Sequence, residues 1–268
     1  MILSGKKPPH LVAVLVGNNP ASEAYVGSKI KACEKTGFKS TLVRFDSSVS
    51  PDILLDAVKK LNGDENVDGI LVQLPLPARV DEEKITETIS PHKDVDGFHP
   101  VNLGRMMKGL PAHLPATPFG IMLMLERYKI ETTGKHCVVI GRSNIVGTPV
   151  SILLSRNSTP GNCTVSIAHS RTKHLRELCL QADLLIAAIG RPQFITGEMV
   201  KENTVVIDVG INRIADSSKK SGFRLVGDVD FETVAPKCSF ITPVPGGVGP
   251  MTIAALLMNT MNAGNLSL

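Results

Sequence analysis

Two side chains one helical turn apart could meet a single ligand. Tyr25 and Lys29 occur in the segment Pro20-Ala-Ser-Glu-Ala-Tyr-Val-Gly-Ser-Lys, which follows the apolar run Leu11-Val-Ala-Val-Leu-Val. Residues four apart lie on one face of a helix, so an aromatic ring and an ammonium group would point together. The helix would begin at Pro20, at the carboxyl end of a buried strand. Ligands bind at that end of the strands in open α/β sheets.

Strands and helices alternate through the first half of the chain. Apolar runs predict the strands, and periodic patterns with capping residues predict the helices. Gly37 would end the first helix, Ser50 and Pro51 would begin the second, and Asp81 would cap the third. The sequence predicts strands at 11–16, 41–45 and 69–74 and helices at 20–36, 51–61 and 81–89. The stretch 91–118 is rich in Pro, Gly and His, and is either a domain linker or a functional loop.

The same alternation continues in the second half. The sequence predicts a helix at 117–127, strands at 137–141, 164–168, 183–188, 204–209 and 239–242, and an apolar helix at 251–261. Such alternation indicates parallel sheets built from βαβ units. We expect an α/β protein of two lobes, an N-terminal βαβ catalytic lobe and a C-terminal Rossmann-like parallel sheet, with a cleft between them. The domains would be 1–118, closed by the C-terminal helix 251–268, and 119–250.

The segment 137–147, Cys-Val-Val-Ile-Gly-Arg-Ser-Asn-Ile-Val-Gly, predicts a strand, a tight turn and a helix start. That is the arrangement of a dinucleotide-binding turn. It departs from G-x-G-x-x-G, because Gly141 stands at the turn, Ser143 replaces the second glycine and Gly147 comes late. An ordinary strand-to-helix connection is the alternative.

Short-chain dehydrogenases also use a Tyr-x-x-x-Lys pair, but theirs follows the nucleotide-binding turn, whereas the pair here precedes it by more than a hundred residues.

The end of the next strand indicates which nicotinamide cofactor binds. An acidic residue there selects the free 2′-hydroxyl of NAD, and a basic residue accommodates the 2′-phosphate of NADP. The sequence offers Ser170 and Arg171 and no carboxylate, which favours NADP. Arg142 in the turn is a second cation for this phosphate or the pyrophosphate. The alternative is that Arg171 is a solvated residue at a helix entry.

Other strand ends carry small residues or polar side chains. Glycine-rich segments follow strands at 187–192, 209–212 and 242–250. They would let a flat ligand approach the backbone closely, although any one of them could be plain turn chemistry. Gln73 ends an apolar strand and places an amide at the same edge as Lys29, where it either meets a ligand or satisfies neighbouring backbone groups. Asp94 and Asp96 either cap a turn or accept paired donors from a heterocycle.

Composition and charge narrow the class of protein. The 268 residues are 43% hydrophobic and 20% charged, which is ordinary for a soluble globular protein. The net charge of +4 comes from scattered basic residues, which suits small anionic ligands and does not favour nucleic acid. Five cysteines lie far apart without metal-ligand spacing, so we expect reduced thiols in a cytoplasmic protein and no metal site. No apolar run approaches the ~20 residues of a membrane span and no secretory signal is visible, so we expect no membrane association.

Five motifs, in this order along the chain, resemble those of a known family. They are Tyr-Val-Gly-Ser-Lys at 25–29, Val-Gln-Leu-Pro-Leu-Pro at 72–77, Asp-Val-Asp-Gly at 94–97, Gly-Arg-Ser-Asn-Ile-Val-Gly at 141–147 and Pro-Val-Pro-Gly-Gly-Val-Gly-Pro-Met-Thr at 243–252. Together they resemble the bifunctional methylenetetrahydrofolate dehydrogenase/methenyltetrahydrofolate cyclohydrolase family over essentially the whole chain. The resemblance implies NADP-dependent oxidation of 5,10-methylenetetrahydrofolate and hydrolysis of the 5,10-methenyl product to 10-formyltetrahydrofolate. It also implies that 1–118 binds folate, that 119–250 binds NADP, and that a homodimer forms through the second lobe.

The resemblance also assigns roles to residues. Lys29 is similar to the catalytic lysine, Gln73 to its partner, Tyr25 to the ring packed against the aminobenzoyl group, and Asp96 to the carboxylate that holds the pterin. The remaining substrate contacts that it implies are Val72, Leu74, Pro245, Gly246, Gly247 and Gly249. Those to the cofactor are Gly141, Arg142, Ser143, Ser170 and Ile211, in addition to Arg171 from its position at a strand end.

Two other interpretations remain open on the sequence. A shikimate-type or amino-acid-type dehydrogenase would share the two-lobed architecture, but it would need a Lys-Asp catalytic pair where this chain has Lys29 with Tyr25 and Gln73. A catalytically silent nucleotide-binding module would bind the cofactor without turnover.

Overall fold

A computed structural model describes residues 7–219 and 222–263 of the chain. The structure divides into two compact units, which we call the first unit (Met1–Ala116 with Ile253–Leu268) and the second unit (Thr117–Thr252). Each unit contains its own parallel sheet. The predicted α/β fold class with two lobes is therefore confirmed.

The first unit begins with strands and helices in strict alternation. Its elements are β1 (His10–Val16), α1 (Pro20–Thr36), β2 (Lys39–Phe45), α2 (Pro51–Gly63), β3 (Gly69–Val72), α3 (Glu82–Thr88) and α4 (Pro100–Met107). The strands form a parallel sheet in the order β2-β1-β3. Central β1 is buried along its whole length, whereas edge strand β2 is mostly exposed. Buried strands are continuous apolar runs, so the sequence predicted β1 almost to the residue but began β2 two residues late.

Helix α1 begins and ends where the local sequence predicts. The side-chain oxygen of Asn19 accepts hydrogen bonds from the backbone N–H groups of Ala21 and Ser22, which caps the N-terminus. Gly37 has φ +77° and ends the helix in the left-handed conformation that glycine adopts without strain. These caps set the register of α1, and hence the face on which Tyr25 and Lys29 lie.

Helix α2 is longer than predicted, since it continues through Gly63 and not only to residue 61. The Asn62 side chain donates to the Thr88 carbonyl at 2.6 Å. The Lys93 ammonium donates to the carbonyl oxygens of Leu61, Asn62 and Asp64 at 3.1, 2.9 and 2.7 Å. A cation from a distant loop thus satisfies the last turn of α2, which local sequence does not reveal.

Two further features of the first unit differ from the predictions, an additional helix and the end of β3. The stretch 91–118 contains α4, which the sequence did not predict because the helix has only eight residues. Its start is capped by His99, whose Nδ1 accepts from the Val101 N–H at 3.1 Å. β3 ends at Val72 and not at residue 74, so Gln73 is the first residue after the strand.

The second unit is a Rossmann-like parallel sheet with an added hairpin. Its elements are α5 (Ala116–Arg127), β4 (His136–Ile140), α6 (Gly147–Ser155), β5 (Thr164–Ala168), α7 (Leu175–Cys179), β6 (Leu184–Ala187), β7 (Thr204–Asp208), β8 (Asn212–Ala215), β9 (Phe223–Val226), α8 (Phe231–Val234), β10 (Cys238–Ile241) and α9 (Val248–Asn262), of which α5 starts and α9 ends in the first unit. The parallel strands are ordered β10-β7-β6-β4-β5.

The five predicted strands of the second half are confirmed to within two residues at either end. β4 and β6 are easily predicted, since apolar residues of both strands contribute to the cores on both faces of the sheet. The antiparallel pair β8–β9 was not predicted, because each strand has four residues and is half exposed. Helix α9 begins at Val248, three residues earlier than expected, and residues 264–268 of the predicted C-terminal helix lie outside the described residues.

Candidate active site

The Lys29 ammonium lies between an aromatic ring and an amide in the first unit. Lys29 is 4% exposed, and its Nζ lies 4.6 Å from the centroid of the Tyr25 ring. Nζ also donates to Oε1 of Gln73 at 3.2 Å. The structure therefore brings together the three residues for which a catalytic role was predicted.

Gln73 is held in one orientation by its neighbours. Its backbone N–H donates to the Val14 carbonyl at 2.9 Å, which continues the pairing of β3 with β1. Its side-chain nitrogen donates to the Leu74 carbonyl at 2.7 Å, so its side-chain oxygen is the atom that faces Lys29. The nitrogen end of the amide therefore satisfies a neighbouring backbone group, which was one of the two alternatives that the sequence left open.

Burial controls the protonation of this cluster. It lowers the pKa of Lys29 below its ordinary value, and the negative charge of Asp96 opposes this only in part. Burial raises the pKa of Asp96 to about 6; the Lys29 charge opposes that rise and the Asp94 charge adds to it. The amine is thereby closer to its neutral, proton-accepting form near neutral pH than an exposed lysine would be.

Asp94 and Asp96 have different surroundings in the structure. Asp94 is 1% exposed and accepts from the N–H groups of Phe98 and His99 and from Nδ2 of Asn102, at 3.2, 2.8 and 2.9 Å. Asp94 therefore caps the turn. Asp96, the carboxylate predicted to bind a ligand, is half-buried and lies close enough to Lys29 for their charges to interact.

A buried polar framework, which sequence reasoning missed, holds the segment that carries Asp96. Nδ2 of Asn259, in α9, donates to the carbonyls of Val95 and Leu114 at 2.8 and 2.9 Å. Asn102 joins Asp94 to the His113 N–H, which donates to Oδ1 of Asn102 at 3.3 Å. The sequence signal was Asn259 itself, an amide within a mostly apolar helix pattern.

The predicted dinucleotide turn of the second unit depends on two glycines. Gly141 has φ +123°, and a Cβ there would overlap the Ala188 carbonyl. A Cβ on Gly147 would overlap the Gly141 carbonyl, so the start of α6 packs directly on the turn. Ser143 stands where the common pattern has glycine, and its Oγ accepts from the N–H groups of Val146 and Gly147 at 3.2 and 3.4 Å. The Ser143 hydroxyl therefore satisfies two backbone N–H groups at the start of α6.

The other predicted cofactor residues are exposed in the second unit. Arg142 and Ser143 are exposed in the turn, Ser170 and Arg171 just beyond β5, and Ile211 just before β8. The N–H of Gly141 donates to the Ala168 carbonyl at 2.9 Å, which joins the carboxyl ends of β4 and β5. Arg171 lies four residues before α7 begins, so it is in a turn and not at a helix entry.

The predicted substrate loop also lies in the second unit: Pro245, Gly246 and Gly247 precede α9, and Gly249 lies in its first turn. Gly246 has φ +106°, and a Cβ on Gly247 would overlap the Pro243 carbonyl. A Cβ on Gly249 would lie 3.8 Å from the Cδ1 atom of Ile211.

Within residues 7–219 and 222–263, the structure contains no group of three His, Cys, Asp or Glu side chains that could hold a metal ion, and no helix long and apolar enough to cross a membrane.

Two family models match most of the chain. The catalytic domain of tetrahydrofolate dehydrogenase/cyclohydrolase matches residues 2–96, and the NAD(P)-binding domain of the same enzymes matches residues 115–267. The chain is 63% identical to the bifunctional protein FolD of Cytophaga hutchinsonii over 262 residues, which is 98% of this chain and 90% of that protein. It is 58% identical to the FolD protein of Bacteroides fragilis over 264 residues, with the same two coverages.

Solved structures agree with this assignment. The bifunctional dehydrogenase/cyclohydrolase of Campylobacter jejuni is 49% identical with a TM-score of 0.89, covering 96% of this chain and 88% of that one. The enzyme of Trypanosoma brucei, solved with NADP and an inhibitor, is 37% identical with a TM-score of 0.90, covering 96% and 86%. Shikimate dehydrogenase of Aquifex aeolicus is 14% identical with a TM-score of 0.53, covering 96% and 91%, and shares the fold alone. The chain belongs to the tetrahydrofolate dehydrogenase/cyclohydrolase family, as its five motifs predicted.

Proposed function

We propose that this chain oxidises 5,10-methylenetetrahydrofolate to 5,10-methenyltetrahydrofolate with NADP and hydrolyses the methenyl form to 10-formyltetrahydrofolate. The observation that carries the proposal is the environment of Lys29. Its ammonium is buried, lies over the Tyr25 ring and donates to Gln73. A lysine whose pKa is lowered by burial suits proton transfer with water, which the hydrolysis requires and the oxidation does not.

The residues of the second unit fit NADP. The glycines at 141 and 147 leave a backbone cradle with no room for a Cβ, and phosphates bind to such turns at helix starts. Arg142 and Arg171 supply exposed cations near the ends of β4 and β5, where a 2′-phosphate would be recognised. When bound, NADP accepts the hydride from the substrate.

In the oxidation, the protein's contribution is to position the folate. The substrate and the cofactor supply the reacting electrons, so geometry is the main requirement. The Tyr25 ring would pack against the aminobenzoyl group, with Val72 and Leu74 beside Gln73, and Asp96 would accept hydrogen bonds from the pterin. The loop at 245–249 would complete the substrate contacts.

In the hydrolysis, water attacks the methenyl carbon and the bond from this carbon to N5 breaks. One of the two water protons ends on N5, the other is released, and the neutral 10-formyl group remains. The attacking water must lose a proton, and Lys29 Nζ is the group placed to take it. A cationic substrate beside Lys29 would lower its pKa further. The Gln73 oxygen, already directed at Nζ, would keep the amine oriented toward the water.

Replacement of Lys29 by methionine tests this function. Lys29→Met keeps the length and apolar stem of the side chain but removes the amine. We expect cyclohydrolase kcat to fall by about 10²–10⁴, while dehydrogenase kcat falls much less. Lys31→Met is the matched control, since Lys31 is an exposed lysine of the same helix. Small and equal losses of both activities in Lys29→Met would contradict the proposal.

The proposal also covers the domain assignment, the oligomeric state and the cellular location. Residues 1–118 with 251–268 would form the folate-binding domain, and residues 119–250 the NADP-binding domain. A homodimer would form through the second unit, where edge strand β5 exposes Ile167. Five free cysteines suit a reducing cytoplasmic location. Light scattering after gel filtration tests the dimer, and a monomer at micromolar concentration would contradict it.

A further inference from the structure

Two buried carboxylates in the second unit hold loops that lie next to proposed cofactor residues. Asp208 is the last residue of β7, and Asp228 follows β9. They are 4% and 0% exposed, and no step of the proposed mechanism uses either of them.

Asp228 holds two separate segments through its side chain. Its Oδ2 accepts from the N–H groups of Ile189 and Gly190 at 2.7 and 2.9 Å. Its Oδ1 accepts from Nδ2 of Asn212 at 2.9 Å. A single carboxylate therefore connects the turn after β6 to the first residue of the β8–β9 hairpin.

Asp208 in turn holds the segment that carries Asp228. Its Oδ1 accepts from the N–H groups of Gly210 and Asp228 at 3.0 and 2.9 Å. Its Oδ2 accepts from the Val229 N–H at 3.0 Å. A Cβ on Gly210 would overlap the Asp228 carboxylate, so there is no space between the loop after β7 and this carboxyl group.

The pair is costly to bury, which indicates a specific use. Among the described residues, neither carboxylate has an ion-pair partner, and both are satisfied by N–H groups instead. Burial, with a contribution from the Asp228 charge, raises the pKa of Asp208 to about 6 despite its three N–H partners. Apolar residues could fill this space more cheaply, but they could not hold N–H groups of three segments in fixed positions.

The segments held by Asp228 are next to the proposed cofactor residues. The turn after β6 begins with Ala188, whose carbonyl packs so closely on Gly141 that a Cβ there would overlap it. Asn212 directly follows the exposed Ile211. A displacement of the turn after β6 would alter the surface around the Gly141 turn, and a displacement of Asn212 would move the adjoining Ile211.

We propose that Asp228, supported by Asp208, is a positioning residue for the dehydrogenase reaction. It fixes the spacing between the turn at 188–190 and the segment at 211–212 on which NADP would rest. The inference rests on the proposed placement of NADP at the Gly141 turn. The hydrolysis uses no cofactor, so it does not need Asp228.

Three variants test this role in the full-length protein: Asp228→Asn, Asp228→Ala and Asn212→Ala. We expect the Kd and KM for NADP to rise by roughly tenfold or more in Asp228→Ala, since small displacements around a bound ligand are costly. Asn212→Ala, which removes one of three hydrogen bonds, and Asp228→Asn, which keeps the shape but not the charge, should show smaller rises. Cyclohydrolase activity should stay within about twofold of the unmutated protein in all three, as expected for residues outside that reaction.

Asp216→Asn is the matched control. Asp216 directly follows β8 in the same hairpin, and its carboxylate accepts hydrogen bonds from Ser218 and not from the segments 188–190 or 211–212. Unchanged Kd and KM for NADP in folded Asp228→Asn and Asn212→Ala would overturn the inference. Equal losses of both activities together with a lower Tm would also overturn it, by reducing Asp228 to a structural residue. Failure of the unmutated protein to bind NADP would instead overturn the proposed function on which the inference rests.

Discussion

The site around Lys29 and the turn around Gly141 achieve specificity in opposite ways. In the first unit, the chemistry lies in side-chain head groups whose pKa values are shifted by burial, as with Lys29 and Asp96. In the second unit, Gly141 and Gly147 leave no room for a Cβ, so the backbone would supply the proposed binding surface. Isosteric changes of charge should therefore disable the first site, whereas the addition of one methyl group should disable the second.

After Lys29→Met, the largest effect is expected for Gly141→Ala. Alanine would need φ +123° and would overlap the Ala188 carbonyl, so the turn must move. We expect dehydrogenase kcat/KM to fall by about 100-fold or more, with cyclohydrolase activity retained. Gly134→Ala is the control, because Gly134 also has positive φ but open space around its Cβ position. Near-normal NADP affinity in Gly141→Ala would show that the backbone of this turn does not form the cofactor site.

An intermediate effect is expected for Asp96→Asn, which changes charge but not shape. An amide offers one donor where two acceptors are wanted, so folate affinity should fall by roughly 10- to 100-fold, the loss of one or two charge-assisted hydrogen bonds. NADP affinity should be unchanged. The control is Asp56→Asn, at an exposed carboxylate of the first unit, which should change neither folate affinity nor NADP affinity.

The same variant has a pH signature. The Asp96 charge raises the pKa of Lys29, so its removal should lower that pKa further. The acid limb of the cyclohydrolase pH profile should therefore move to lower pH in Asp96→Asn. Unchanged folate affinity together with an unmoved limb would remove Asp96 from the site.

The smallest effect is expected for Arg171→Ala, since Arg171 is exposed and solvent screens its charge. We expect the preference for NADP over NAD, as a ratio of kcat/KM, to fall by about tenfold. Lys173→Ala, an exposed cation two residues away, should leave the ratio unchanged. A preference of the unmutated protein for NAD would show that the end of β5 does not read a 2′-phosphate.

Local sequence predicted the elements of both units better than it predicted what holds them in place. Helix α1 was predicted to the residue because Asn19, Pro20 and Gly37 define its ends within a few residues. The end of α2 was wrong because Lys93, thirty residues away, satisfies its last carbonyls. Such contacts between distant residues leave no periodic pattern for sequence reasoning to detect.

The candidate sites show the same limit. Sequence placed Tyr25, Lys29 and Gln73 at one sheet edge, because side-chain spacing and strand ends are local properties. Local pattern alone did not separate Asp94 from Asp96, although the family resemblance singled out Asp96, because the partners that make Asp94 a turn cap lie at and within the helix that follows. It also missed Asp208 and Asp228, whose use becomes visible only once separate loops are brought together.

Direct titration of Lys29 tests the central claim, that burial prepares this amine for proton transfer. NMR spectra of protein labelled at the lysine ε-carbon, with Lys29→Met used to assign the signal, report its protonation as a function of pH. We predict that Lys29 titrates clearly below the ~10.4 of a free lysine, in line with the direction that its burial imposes. A pKa at or above that of the exposed Lys31 in the same spectra would contradict the account.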